Sequence, residues 1–260
     1  MNERLDRLAT AELAFAAFNA RRTSATSEAT IALGDRAPWR HLCDTSRPHH
    51  PYYNRALAAR VGTPTPEALD SLPAAVVAVE LRPAELLPAL TDALLARGFR
   101  PAGALCYLGA PATRPAGGTA HAVERLLPAQ ADLFLDALES AGTPFPPARR
   151  EAKRAFYCTE RFQAFVVRGP QGGIDGWATM FVQEGSAFLG NAFVRPAARG
   201  RGVHAALLAA RLRAAAEAGV DEVFTDVEHG SQSHANCERA GLRTLTVNLV
   251  WQRAVGGAGA

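Results

Sequence analysis

The chain has 260 residues, and 48% of them are apolar, enough for a substantial core in one large or two smaller domains and too many for general disorder. Its formal net charge of +3 rests almost wholly on arginine, since Lys153 is the sole lysine, and no basic run is long enough to argue for nucleic acid as a partner. Cys43, Cys106, Cys158 and Cys237 are scattered without Cys-x-x-Cys or zinc spacing, no apolar run approaches bilayer length and the N-terminus is mixed in charge, so the expectation is a cytoplasmic protein with free thiols, no metal and no membrane partner.

In chain order, Glu12 to Arg22 predicts a short apolar helix and Ala29 to Leu33 a strand. Arg36 to Tyr53, rich in Pro, His and Arg, reads as a loop, and its His41, Cys43, His49 and His50 lack the spacing of metal ligands. Pro66 to Ser71 suggests a short helix. Ala74 to Leu81 has the β-branched content of a buried strand. Pro83 stands at the first position expected of a helix through Leu95 that Gly98 ends, and Phe99 to Leu108 returns as a strand. Ala110 to Gly118, with clustered Pro and Gly, marks a domain boundary near Arg114. Two domains are therefore expected, at 1–114 and 115–260.

Beyond that boundary the pattern is fuller. Ala120 to Leu126 reads as a strand, Pro128 to Ala141 as an amphipathic helix, and Arg149 to Thr159 as another. Arg161–Arg168 and Ile174–Gln183 read as a hairpin across Gly169–Gly173, and Ser186 to Phe193 as a strand. Val203 to Ala218 shows a helical stripe of Val203, Leu207, Leu208 and Leu212. A strand at Asp221–Glu228, a helix at Ser231–Ala240 closed by Gly241 and a strand at Leu242–Arg253 complete the chain. Helices interleaved with a largely antiparallel sheet predict an α/β (α+β) sandwich.

The stretch Val194 to Leu208 is the most informative. Pro196 stops the strand, because it has no N–H for a sheet ladder. Gly200 and Gly202 allow a tight turn whose backbone N–H groups can converge on an anion, with Arg199 and Arg201 adding positive charge at the rim. The helix that follows directs its unpaired N–H groups and positive dipole end at the same point. The Walker pattern Gly-x-x-x-x-Gly-Lys-Ser/Thr is absent, as is the third glycine of a dinucleotide fingerprint.

This turn resembles the pyrophosphate loop of the GNAT N-acetyltransferase superfamily, Gln/Arg-x-x-Gly-x-Gly/Ala, on Arg199, Gly202 and His204. The first two match. His204 departs, standing where the family usually has glycine or alanine. Gly230 to Leu242 is similar to the family's closing helix, in which an Asn leads into Gly-Phe. In the first half, Leu94 to Arg100 has the layout of Cys237 to Arg243: helix end, glycine, apolar residue, arginine entering a strand. The same layout is also ordinary helix–strand punctuation. With the elements around it, it suggests two GNAT-like mixed-sheet sandwich domains in tandem, the first degenerate, since no glycine-rich basic turn precedes residue 110.

The resemblance implies acetyl transfer from acetyl-CoA to a primary amine of a small molecule or peptide, without metal, by a monomer or homodimer. It assigns the cofactor to Phe193 and Val194 for the pantetheine arm and to Arg199, Gly200, Arg201, Gly202, Val203 and His204 for the pyrophosphate, with Asn236 as a further contact. The amine must lose a proton before attack. Asp226 and Glu228 alternate onto one face of their strand, with His229 at its end, and Glu228 is the first choice of base; the alternative is that both acids are simply solvated or bind a cationic substrate. The family commonly places a tyrosine four residues before the glycine of the closing pair, as general acid. Here that position is Cys237, as readily a packing residue as a proton donor. Asn191 and Tyr157, the latter in a cluster with Phe156, Phe162 and Phe165, are candidates to orient substrate. Two other readings stay open: a non-catalytic acyl-CoA-binding or regulatory module, and a structural or nucleotide-binding protein that borrows the loop.

Overall fold

A computed structural model describes residues 2–24, 31–36, 38–58, 64–115, 119–143 and 147–253. They divide into two compact units. The first holds residues 1–107, 227–229 and 244–260; the second holds 108–226 and 230–243.

The first unit opens with helix α1 (Asn2–Thr23), longer than its central apolar stretch predicts, whose Ala16, Ala17 and Ala20 bury against Leu42 and Tyr53. Strands β1 (Ile31–Arg36), β2 (Trp39–Asp44) and β3 (Asn54–Ala58) pair antiparallel in sequence. The expected strand at Ala29–Leu33 thus starts, within the described residues, at Ile31. β2 corrects the loop expected over Arg36–Tyr53. Its Trp39 and Leu42 are fully buried, and pairing on both edges makes a strand of a segment whose polar composition hid it. A 3-10 turn at Glu67–Ser71 precedes β4 (Ala78–Leu81), which pairs parallel with β3.

The helix expected from Pro83 is broken. A 3-10 turn at Pro83–Glu85 is followed by α2 (Pro88–Ala96), because the residue before a proline is pushed out of the helical region and Leu87 is extended at φ −71°, ψ 150°. β5 (Phe99–Pro111) follows. The core of this unit gathers Trp39, Val79, Leu81, Leu90, Leu94, Phe99 and Trp251.

In the second unit, β6 shrinks to Glu124–Arg125, and α3 (Ala131–Ser140) and α4 (Pro147–Arg154) lead to β7 (Phe162–Arg168), β8 (Ile174–Gln183) and β9 (Ser186–Val194). These strands pair antiparallel in the order β9-β8-β7-β6. α5 (Val203–Glu217) crosses over to β10 (Glu222–Glu228), which pairs parallel with β9. α6 (Gln232–Arg239) and β11 (Arg243–Arg253) end the described chain.

β11 pairs antiparallel with β4 and lies between β4 and β5, so its residues from Thr244 onward belong to the first unit. The compact units are therefore drawn differently from one cut near Arg114. No helix among the described residues is long and apolar enough to cross a membrane.

Candidate functional site

The glycine turn joins β9 to α5 in the second unit. The Arg195 N–H bonds to the Asp175 carbonyl at 2.9 Å, after which Pro196–Ala198 makes one 3-10 turn. Gly200 at φ 74° and Gly202 at φ 84° take the left-handed conformation that glycine alone adopts without strain. A Cβ built on either would meet nothing within 4 Å, so the backbone here faces open space. Gly202 is the N-cap of α5 and brings no side chain to its first-turn N–H groups, nor is there an acid in that turn. Arg195, Arg199 and Arg201 are exposed around it. Arg199 Nε bonds back to the Val194 carbonyl at 3.2 Å, and the His121 ring holds the Arg201 carbonyl at 2.7 Å. Open N–H groups, a helix N-terminus and three arginines suit a pyrophosphate.

A second opening lies beside β9. Its parallel pairing with β10 covers Ser186, Ala187 and Phe188 against Glu222, Val223 and Phe224 and then stops. Thr225 Oγ1 donates to the Leu189 carbonyl at 2.8 Å, closing the ladder where the two strands part. On the other edge, Thr179 faces Gly190 while Ala178 faces Ala192, which leaves Asn191 as the extra residue of a bulge, at φ 36°. Beyond these points β9 has backbone that β10 does not pair, the place where an extended amide-bearing ligand can add itself.

The bulge is held from below by a residue that the sequence reading passed over. Arg211, on the buried face of α5, donates from Nη1 to the Thr179 carbonyl at 3.2 Å and the Gly190 carbonyl at 3.4 Å, and from Nε to the Leu207 carbonyl at 3.1 Å. It is 2% exposed, and burial pulls its pKa down to about 10, so it remains charged at neutral pH. A signal was available: Arg211 is four residues after Leu207 on an otherwise apolar stripe.

α6 packs on α5 through the residue that departs from the family loop. His204 is half-buried, and its Nδ1 lies 3.1 Å from Asn236 Nδ2. Because the amide nitrogen donates, the ring carries its proton on Nε2. Burial first, and Arg211 second, push the His204 pKa down to about 4. Asn236 Oδ1 meanwhile accepts from Gln232 at 3.1 Å and from Arg239, so its amide is engaged on both sides. The side chain of His204 is thus turned to α6.

Phe193 is half-buried and stacked on Trp177, with centroids 6.0 Å apart, and Val194 beside it is half-buried. Val203 is buried under the first turn of α5. Cys237 is 2% exposed; burial raises its thiol pKa against the opposing pull of Arg211 and a hydrogen bond from Ser233. Tyr157 is fully buried, its ring against Phe134 and Phe162. Asp226 is half-buried. Glu228, exposed at the end of β10, is counted with the first unit.

No protein-family model matches the sequence, and no curated protein does. Solved structures do. A GCN5-related N-acetyltransferase from Kribbella flavida is similar at TM-score 0.62 and 16% identity over 95% of this chain and 96% of that one. A conserved protein of unknown function from Staphylococcus epidermidis gives TM-score 0.60 at 10% identity, over 89% and 96%. A tandem GNAT protein from the clavulanic acid biosynthesis pathway gives 0.55 at 11%, over 93% and 89%.

Proposed function

We propose that this chain, which has the GNAT fold in its tandem form, transfers an acetyl group from acetyl-CoA to the primary amine of a small molecule or peptide. One observation carries the reading: the uncapped, glycine-lined N-terminus of α5, ringed by Arg195, Arg199 and Arg201, opens at the end of β9, whose parallel pairing with β10 stops at Phe188. The loop from Arg199 to His204 holds the pyrophosphate, and the edge of β9 at Phe193 and Val194, paired with β8 but not with β10, holds the pantetheine arm. Acetyl-CoA supplies an activated thioester. The chain's own part is to orient it, to accept the proton that the attacking amine gives up, and to return a proton to the departing thiolate.

Asp226 and Glu228 are the candidates for accepting the proton, with Glu228 first. Cys237 is the candidate for returning one: its raised pKa keeps the thiol protonated at neutral pH, the form an acid requires. Asn191 at the bulge is suited to orient substrate or water but cannot serve as a base. His204 contributes indirectly, by tying α6 to the loop.

A second reading, binding of an acyl-CoA without turnover, is favoured by the burial of Cys237. Calorimetric titration with acetyl-CoA, against CoA and ATP, followed by an amine panel, separates the two. One acetyl-CoA site per chain with turnover supports the transferase. The same binding with no turnover across the panel supports the binding module. ATP binding as tight as acetyl-CoA binding removes both. Within the transferase, the greater loss of kcat between Glu228→Gln and Asp226→Asn identifies the base, and an unchanged rate in Cys237→Ser makes the thiol packing only.

A further inference from the structure

The glycines that open the turn before α5 also leave it slack. Arg201 stands between Gly200 at φ 74° and Gly202 at φ 84°, and glycine accepts either hand of backbone at little cost. The peptide joining Arg201 to Gly202, the N-cap of α5, therefore has little of its own to orient it. In a planar trans peptide the C=O and the N–H point opposite ways. Turned one way, this peptide offers the Gly202 N–H to an anion. Turned the other, it offers the Arg201 carbonyl oxygen, which a phosphate repels.

His121 fixes the choice from 80 positions away. A carbonyl only accepts, so His121 donates, from Nε2, to the Arg201 carbonyl at 2.7 Å. Both the Nε2–H tautomer and the imidazolium carry that proton, so the bond survives titration of the ring. With the carbonyl held, the Gly202 N–H points away from His121, and no group among the described residues accepts it in a hydrogen bond. His121 is itself on a fixed segment. Thr119 Oγ1 donates to the His121 carbonyl at 2.7 Å, and three residues on Glu124 opens β6, which pairs with β7. The helix end is seated separately: Gly176 on β8 leaves room for it, since a Cβ there would lie 2.7 Å from Val203 Cγ1. Once α5 is seated, the peptide before it still has to be oriented, and His121 meets that need.

We propose that His121 is a positioning residue for the cofactor, holding the Arg201–Gly202 peptide with its N–H toward the pyrophosphate while touching neither the cofactor nor the reacting atoms. The inference rests on the reading of Arg199 to His204 as the pyrophosphate cradle.

The test uses the whole chain and two probes, acetyl-CoA and S-acetylpantetheine, which carries the same thioester without the pyrophosphate, both titrated by calorimetry. His121→Ala should weaken acetyl-CoA about two- to ten-fold, the range for one lost neutral hydrogen bond, and leave S-acetylpantetheine unchanged. His121→Gln, whose Nε2 can donate from nearly the same place, should recover most of the loss. His121 is half-buried, and circular dichroism melts check that the variants fold. Should His121→Ala not fold, His121→Phe takes its place, since it keeps a ring and removes the donor. A merely structural role would weaken both probes alike. That result, wild-type acetyl-CoA affinity in the folded variant lacking the donor, or no recovery in His121→Gln would overturn the proposal while leaving the cradle standing. Failure of the wild type itself to bind acetyl-CoA would remove the cradle, and the role of His121 with it.

Discussion

The two units repeat a strand pattern but not the device placed upon it. In each, three antiparallel strands end in a parallel pair, β3 with β4 and β9 with β10, after which a helix and a positive-φ glycine lead into a long strand. The connections that make the parallel pairs differ. In the second unit it holds the turn at Gly200 and Gly202 and the 15-residue α5. In the first, among the described residues between β3 and β4, there is a 3-10 turn at Glu67–Ser71 and no α-helix. A helix is needed to concentrate N–H groups and dipole at one point, and among its described residues the connection between β3 and β4 in the first unit has none. The first unit instead buries Glu12, Arg55 and Glu80. The lesson is that strand pairing and ligand chemistry are separable: pairing needs only β-compatible residues at the right register, whereas the site needs particular residues in the connection.

The contrast can be broken from the second unit. Gly202→Glu places a carboxylate where the pyrophosphate should sit, and acetyl-CoA affinity should fall by about a hundred-fold or more, since like-charge contacts cost several kcal/mol. The left-handed backbone at Gly202 adds a folding cost of about 1–2 kcal/mol, which a urea titration reads separately from binding by calorimetry. A folded variant with normal affinity would remove the cradle.

The next largest effect concerns what lies beneath the bulge. Arg211→Met should lower stability by about 1–3 kcal/mol, because the Thr179 carbonyl loses its Arg211 donor and the Gly190 carbonyl keeps only the Thr179 hydroxyl of its two side-chain donors, and should weaken acetyl-CoA binding as the bulge relaxes. Urea midpoints for the wild type, Arg211→Met and Arg211→Lys check this, with lysine expected between the other two. Equal midpoints would mean that the bulge holds its shape unaided.

The link between α5 and α6 is predicted to be pH-sensitive. His204 titrates near 4 in the folded chain, below its ordinary 6.5, so protons bind the unfolded chain more readily. Its contribution is complete above about pH 6.5 and is lost as pH falls toward 4, by at most about 3 kcal/mol and less for a half-buried ring. Unfolding free energies of the wild type and His204→Gln at about pH 7.5 and about pH 4.5 measure this share, and the variant should lose less on acidification. The smallest effect sharpens the comparison itself. Gly98 at φ 82° and Gly241 at φ 97° occupy equivalent places, so Gly98→Ala and Gly241→Ala should each cost about 1 kcal/mol in thermal or urea unfolding. A cost at only one of them would argue against the repeat.

Much of the second unit was legible because its signals are local. The punctuation by Pro196, Gly200, Gly202, Gly219 and Gly241, and the stripe of Val203, Leu207, Leu208 and Leu212, bring α5, β10 and α6 to within a few residues of where they are expected. The first unit was harder. β2 is built from Trp, Arg, His, Leu, Cys and Asp and becomes a strand because it has neighbours on both edges. Leu87 leaves the helix because of the proline after it, a local rule that a continuous leucine pattern concealed.

Composition and local pattern by themselves determined the α/β class, the glycine turn with its arginines and the repeated helix–glycine–strand ending, since each depends on neighbours within a few residues. Tertiary structure alone decided the rest. It returned β11 to the first unit beside β4, stopped the β9–β10 ladder at Phe188, seated Arg211 beneath the bulge and met His204 with Asn236. The same holds for Glu12, Arg55 and Glu80, gathered from positions far apart in the chain. The physical reason is common to all five. Each depends on which distant backbone or buried charge comes within hydrogen-bond reach, and such proximity leaves no periodic trace along the chain.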